Sequence, residues 1–455
     1  MSKLNGDDLA AEFITAARWD GFPPAVREKS KMCLMDNLSA TISGAMTRVS
    51  AVAADFATEY MQGSESTILL HGVKSTAAGA AFANGCAANG LDTDDGIRYA
   101  YGHAGAQLFP AALALTEALH LQGKDLLTAL VAGYEIAHRF GRCWHDDHTV
   151  YQACGSWGSA ACAAAASHLM DLNVEQTKHA LGIADYHAPN LPMMRDIADP
   201  SMVKHGIGWG ALTGITAARL ASKGFTGIPS LLSHPKYYEW MKDLGSNFIM
   251  VDGVGWKEKG FACCGWAHAA AEAARKTADL HGVNPEEIAA IIINTFHEAA
   301  AFVTALPGDT EEAQFNLAWP VAAILIDGEI GPAQTLETGL RNEAIRKLAG
   351  KVEVTESEKL NELCRLFRKG DPRGRFASEV TLVLHNGVRL ESGLTEGVLS
   401  YPPKGWDRNR MEEKFLWLVG PVLGTTRAKT LIDTIWHFEK LPDIRDFIAL
   451  IRNDL

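Results

Sequence analysis

Four stretches of the chain combine side-chain types that could do chemistry. Asp92-Thr93-Asp94-Asp95-Gly96, with His103 downstream, places three carboxylates in four positions. Such a group repels itself unless a cation, a helix start or a histidine neutralises it, so it suits metal binding or general-base work, or else a solvated loop. Trp144-His145-Asp146-Asp147-His148 invites a divalent-metal reading. Adjacent His and Asp do not by themselves close a coordination shell, however, and a polar loop with one functional histidine fits better. Lys204-His205-Gly206-Ile207-Gly208-Trp209-Gly210 sets two bases beside a glycine-rich backbone. Its spacing is neither a Walker A loop nor a dinucleotide fingerprint, and a tight helix–helix connection is the structural alternative. Lys257-Glu258-Lys259-Gly260-Phe261-Ala262-Cys263-Cys264-Gly265-Trp266-Ala267-His268 holds a vicinal cysteine pair among lysines and a histidine. A nucleophilic thiol would need a base such as His268; packing at a domain junction accounts for the pair equally well. Together the stretches suit an anionic small molecule and proton transfer.

The elements that must position these residues divide into two kinds. Up to about residue 265 the sequence reads as successive helices. Asp7 is placed to cap one through Leu9, Phe13 and Ile14, and Asp125 to cap another running to Gly141. Asn173 with Gln176 has the spacing of a capping box, and Gly224 is a natural stop for a helix over Ala211 to Ser222. Runs of small residues, Ala77 to Ala88 and Ala160 to Ala166, allow helices to pack closely. Beyond about residue 270 the pattern changes. Ile288 to Thr295 is rich in β-branched residues, Lys351 to Thr355 alternates, and Phe376 to Leu390 reads as a hairpin turning at Asn386-Gly387. Helical patterns at Ala313 to Ile326 and Glu356 to Lys369 lie between these strands, and Arg408 to Leu455 is helical again. The expected architecture is therefore mainly α: an all-helical domain from residues 1–268 plus 405–455, interrupted by an α+β lid at 269–404.

The 455 residues carry 42 Lys plus Arg and 54 Asp plus Glu, a net charge of −12. That balance argues against a nucleic-acid partner, which needs a basic footprint. Eight cysteines without a C-x-x-C pair write neither a disulfide scaffold nor a zinc ribbon. No apolar run reaches the roughly 20 residues of a membrane span. With no signal-like N-terminal stretch, the expectation is a cytoplasmic protein without a membrane partner.

Several segments, in order, resemble the MmgE/PrpD family: AAFANGCAANGLDTDD (Ala80 to Asp95), GHAGAQLFPAALALTEAL (Gly102 to Leu119), DLLTALVAGYEIAHRFG (Asp125 to Gly141), GSWGSAACAAAASHLMDL (Gly155 to Leu172), KHGIGWGALTGITAARLASKGFTGIP (Lys204 to Pro229), KGFACCGWAH (Lys259 to His268) and AQFNLAWPVAAIL (Ala313 to Leu325). The family includes 2-methylcitrate dehydratase, cis-aconitate decarboxylase and iminodisuccinate epimerase. The resemblance implies a helical domain with an α+β lid, a site between them, a homodimer and a small anionic carboxylate substrate, without cofactor or metal. It places Asp92, His103, Lys204 and Lys259 as catalytic residues and His148, His205, Cys264 and Trp319 around the substrate. Gly96 stands where the family usually has Thr, His103-Ala104-Gly105 where it has His-Pro-Ser, Trp319 for Tyr and Ala262 for Pro.

The chemistry this implies is proton removal beside a carboxylate, with the enolate-like charge stabilised by cations. The first expectation is a hydro-lyase acting on a di- or tricarboxylic acid, with Lys204 and Lys259 clamping carboxylates. His103 would be the acid or base, with Asp92 orienting it or taking the proton. An epimerase working with Lys204 and His103, a decarboxylase of a cis-aconitate-like acid, a non-catalytic binding protein and a metallohydrolase are the alternatives.

Overall fold

A computed structural model describes residues 5–399 and 405–452. The part up to residue 256 is built from helices, chief among them Pro24–Gly44, Ala77–Ala88, Gly105–Ala118, Gly123–Asp147, Cys154–Leu169 and Ile207–Ser222. Small residues set their spacing: Ala160 to Ala166 are fully buried, and helix Cys154–Leu169 packs closely against both Gly123–Asp147 and Ile207–Ser222. The C-terminal helices Arg408–Leu423 and Thr425–Trp436 return to this body, contributing Met411, Phe415, Leu431 and Ile435 to its core.

A second buried apolar cluster begins at Phe261 and runs to Leu382, and it also draws in Ala153, Met193 and Ile197 from the body. Its sheet has the order Val352–Glu356, Ile288–Thr295, Ala377–Leu384, Arg389–Glu391, the first pair parallel and the rest antiparallel. Thr395–Glu396 also pairs with Ala377–Leu384. The turn after Leu384 carries Gly387 at φ +85°, the left-handed backbone that an Asn-Gly pair supplies. Helix His268–His281 covers the sheet.

Several local expectations are met. Asn173 accepts from Gln176 N at 2.9 Å and Gln176 returns the bond to Asn173 N at 3.2 Å. Gly224, at φ +88°, follows the helix ending at Ser222. Others are corrected. Asn5, not Asp7, caps the first helix, through a reciprocal bond with Asp8. Asp7 is buried and accepts from Ser230 N at 2.8 Å, and burial pushes its carboxyl up to about 6. Gln122 caps the helix assigned to Asp125, whose side chain instead accepts from Gln122 N at 3.0 Å. The helical pattern at 313–326 is broken into Thr310–Gln314 and Ala318–Asp327, because Asn316 turns back to accept from Trp319 N at 2.8 Å and donate to Ala305 O at 2.9 Å.

The helical body also contains two short antiparallel ladders, Ser66–Ile68 with Val73–Ser75 and Gly96–Ile97 with Val254–Gly255. The second joins residue pairs about 160 positions apart and brings two of the four chemical stretches together. Among the described residues no helix is long and apolar enough to cross a membrane.

Candidate active site

The ladder between Gly96–Ile97 and Val254–Gly255 lies directly after the Asp92 to Asp95 turn and directly before Lys257. Its register sets Lys257 against that turn. The Lys257 ammonium is 2.9 Å from Asp92 Oδ1 and donates to the backbone oxygens of Asp92 and Cys263. Both side chains are fully enclosed. Burial by itself would raise the Asp92 carboxyl, but Lys257, His103 and Lys204 outweigh it and hold the carboxylate ionised, well below its usual range. Burial likewise disfavours the Lys257 charge, and the Asp92 and Asp94 carboxylates overcome this, so its pKa is raised. A buried ion pair of this kind persists because each charge also has hydrogen-bond partners.

His103 completes the cluster. Its Nδ1 lies 2.7 Å from Asp94 Oδ2 and its Nε2 3.4 Å from Asp92 Oδ1. Burial works against the imidazolium, but Asp94 and Asp92 prevail, and the pKa is raised above its ordinary value of 6.5. Asp94 is the nearer partner, so the orienting role assigned to Asp92 is shared. Asp95 faces away from the cluster, into the body, where its carboxylate accepts from Tyr134 Oη, Asn37 Nδ2 and Gly105 N. Position 105 has no space for a side chain: a Cβ would sit 2.1 Å from Asn37 Nδ2.

The Lys204 to Gly210 stretch enters from another direction. Lys204, His205 and Gly206 all have positive φ, at +35°, +57° and +64°. For the two non-glycine residues this is strain that surrounding contacts must offset, about 1–3 kcal/mol each. The turn points both bases inward. His205 is held by Asp196, which accepts from its backbone N and lies 2.7 Å from its Nδ1, and its ring stacks on His103 at 5.6 Å. Lys204 is buried, and that burial lowers its pKa. Its ammonium donates to Gln314 Oε1 from the other half of the molecule, and Gln314 Nε2 donates back to Gly90 O at 2.9 Å. The glycines that follow serve packing: a Cβ at Gly208 would meet Phe82 O and Cys86 Sγ at 2.7 Å.

His103, His205 and Lys257 of this cluster border a cavity that the α+β part closes from the other side. His103, His205, Lys257 and Cys264 form its polar end, and Trp266, Phe367, Phe376 and Leu399 are among the residues lining it from the α+β side. Of the residues singled out from sequence, His103, His205 and Cys264 line the cavity, and Asp92 and Lys204 stand behind that lining in the charged cluster. Three other expected residues lie elsewhere. Lys259 is exposed, because the chain leaves the ladder and turns at Glu258–Gly260, with Phe261 N donating to Glu258 O at 3.3 Å and Gly260 at φ +89°. Lys257 occupies the position foreseen for Lys259. His148 is exposed and stacks on Trp144 at 4.1 Å. Trp319 is fully buried away from the cavity, its Nε1 donating to Gln334 O at 3.1 Å. Lys257, Asp94, Asp196 and Gln314 were not singled out. Lys257 had a visible signal in the Lys257-Glu258-Lys259 run, but nothing in the sequence says which lysine faces inward.

The remaining motifs resolve as well. Asp146 pairs with Arg142, Asp147 with Lys236, and His145 binds Ala100 O at 2.8 Å, so the His145 to His148 group is dispersed. Burial pushes the Cys264 thiol up to about 12 and raises Cys263 further. His268 is driven down to about 3 by burial and lies 3.1 Å from Cys263 O. This is a packed thiol pair without an activating base. Ligand atoms of Asp92, His103 and His205 fall within 4.8 Å of one another. The Lys257 ammonium on Asp92 Oδ1 already neutralises that carboxylate and opposes a second cation, so the donor set fits a metal ion poorly.

Two family models cover most of the sequence: the MmgE/PrpD N-terminal domain over residues 8–243 and the MmgE/PrpD C-terminal domain over residues 261–440. The chain belongs to the MmgE/PrpD family. Similar proteins within it include a cis-aconitate decarboxylase from Aspergillus terreus, 24% identical over 99% of this chain and 98% of that one. The human cis-aconitate decarboxylase is 25% identical over 94% of this chain and 90% of its own length. The MmgE/PrpD C-terminal model spans both the α+β part and helices Arg408–Leu423 and Thr425–Trp436, which pack on the N-terminal body.

Proposed function

We propose that this MmgE/PrpD protein is a cofactor-independent lyase that decarboxylates a small unsaturated carboxylic acid, with His103 as the proton donor. The observation that carries this is the placement of His103 at the cavity, between Asp92 and Asp94 and beside Lys257. Its raised pKa favours the imidazolium that a proton donor requires. As the bond to the departing carboxylate breaks, its electron pair moves into the conjugated acid, carbon dioxide leaves, and His103 delivers its proton to the resulting carbanion carbon. Lys257 supplies fixed positive charge toward the enolate-like oxygen. The relatives' activity points the same way.

Dehydration, the first expectation from sequence, also requires a proton donor at a leaving hydroxyl. Tyr101 Oη donates to Arg368 O and Tyr151 Oη to Tyr101 O, so neither wall hydroxyl is poised for it. Epimerisation requires a second base across the substrate, and Lys204 is tied to Gln314. Decarboxylation needs one donor. A homodimer is part of the proposal, supported by a half-exposed apolar face where Phe82 packs against Phe56 and Trp209.

The test is proton NMR in deuterated water, with trapping of carbon dioxide, on cis-aconitate and other unsaturated acids. Carbon dioxide release from at least one of these acids, with one deuterium entering per turnover, is expected, and H103A should slow it about 10²–10⁴-fold. Vinylic signals growing from a hydroxy acid without carbon dioxide would assign a hydro-lyase, and unaltered turnover by H103A would remove His103 from the mechanism.

A further inference from the structure

Arg98 lines the same cavity as His103 and Lys257. It follows the short strand Gly96–Ile97, and its backbone N is fixed by donating to Gly253 O at 2.9 Å. Its guanidinium lies 5.8 Å from the Tyr99 ring, but its side-chain Nε is buried and has no hydrogen-bond acceptor among the described residues. The other cations around the cavity are matched within the protein. Lys257 is on Asp92, Arg368 is 2.7 Å from Glu298, Arg142 is 3.2 Å from Asp146, and Lys204 donates to Gln314. A buried guanidinium N–H left unpaired is costly. Its fork geometry is suited to a carboxylate supplied from outside.

Apart from Arg368, which is paired with Glu298 and lies over the Tyr151 ring, the rest of the wall is largely apolar. Tyr151, Met193, Trp266, Phe367, Phe376 and Leu399 face the space beyond the polar end. Gly265 leaves room there, since a Cβ at that position would meet only Leu399, at 3.8 Å. Gly96 also lines the cavity and adds no side chain. Within the polar cluster, Asp92 and Asp94 already oppose Lys257, Lys204 and the proton of His103. A ligand therefore finds positive charge in two places, at Arg98 and at the His103–Lys257 end. A third carboxylate would lie against aromatic rings, where the cation at hand, Arg368, is already neutralised by Glu298.

We infer that the acid bound here has at most two carboxylates, one of them held by Arg98, and carries an apolar group of about the size of an aromatic ring. This rests on the reading of the cavity as an acid-binding site and narrows it: a compact tricarboxylate such as cis-aconitate is a poor fit.

The test is isothermal titration calorimetry on the full chain with cis-aconitate, methylmaleate and benzylsuccinate, repeated with R98Q and R98K. Benzylsuccinate should bind at least tenfold more tightly than cis-aconitate. R98Q should weaken benzylsuccinate at least tenfold, and R98K should recover part of the loss. The wild-type ranking needs no variant, so it decides the matter even if R98Q fails to fold. Cis-aconitate binding as tightly as benzylsuccinate, or benzylsuccinate affinity unchanged in R98Q, would overturn the inference and leave the lyase reading in place. If none of a broad set of acids binds or turns over, the lyase reading falls and takes this inference with it.

Discussion

Replacing Lys257 with methionine gives the sharpest test of how this site is held. The substitution keeps most of the side-chain volume and removes only the charge. In the wild type the ammonium sits 2.9 Å from Asp92 Oδ1 and donates to two backbone oxygens, with 1% of the side chain exposed. Removing it leaves the Asp92 carboxylate buried beside His103, with no other cation in contact. Breaking one partner of a buried pair typically costs about 3–5 kcal/mol. With an unfolding entropy of about 2 cal/mol/K per residue over a chain of this size, that is a fall in melting temperature of about 3–5 °C. The folded variant should also lose about 10²–10³ in turnover, since fixed positive charge facing the developing enolate is gone. The control is Lys259→Met, two residues on and exposed, which should match the wild type in both measurements. Differential scanning calorimetry and the carbon dioxide assay read the two effects separately. If Lys259→Met is the damaging change and Lys257→Met is silent, the ladder register that puts Lys257 inside is wrong, and the geometry argued from it fails.

Three further outcomes are expected. The raised pKa of His103 means that a rate requiring its protonated form is held to higher pH than an ordinary histidine would allow, and is lost as pH rises through the raised pKa. Asp94→Asn removes an anionic neighbour, so it should move this alkaline limb of the kcat/KM profile toward lower pH; a limb that stays put would mean that another group titrates. Trp319→Phe should cost about 1–2 kcal/mol of stability, by leaving Gln334 O without its donor, while steady-state turnover stays within about twofold; a large loss of turnover at unchanged stability would put Trp319 back at the substrate. Exhaustive chelation should leave activity intact, because Lys257 already occupies the Asp92 carboxylate; activity lost on chelation and restored by a divalent ion would make Asp92, His103 and His205 ligands.

Much of the fold was legible because its signals are local. Helix boundaries with reciprocal capping, as at Asn173 and Gln176, and the Asn-Gly turn after Leu384 depend on residues within a few positions of one another. The misread caps show the limit of that locality. Asp7 and Asn5 are both competent caps by type, and the choice was made by Ser230, more than 200 residues away, which takes Asp7 into the core.

The candidate site divides in the same way. Asp92, His103, Lys204 and His205 could be picked from sequence, because the family pattern and the density of chemical side chains mark them. Their directions could not. Lys257 and Lys259 share a charged run and have the same side chain. Only the pairing of Gly96 with Gly255 across the body, and the turn that follows at Gly260, sends one ammonium into a buried carboxylate and the other into solvent. Arg98 shows the same dependence: it is an ordinary arginine in the sequence, made distinctive by every neighbouring cation having found a partner elsewhere in the fold. The sequence by itself determined which residue types were available and the helical frame carrying them, since propensity and capping are near-neighbour effects. Which of those side chains face one another was decided by long-range strand register and helix packing, because a side chain's environment belongs to the assembled chain.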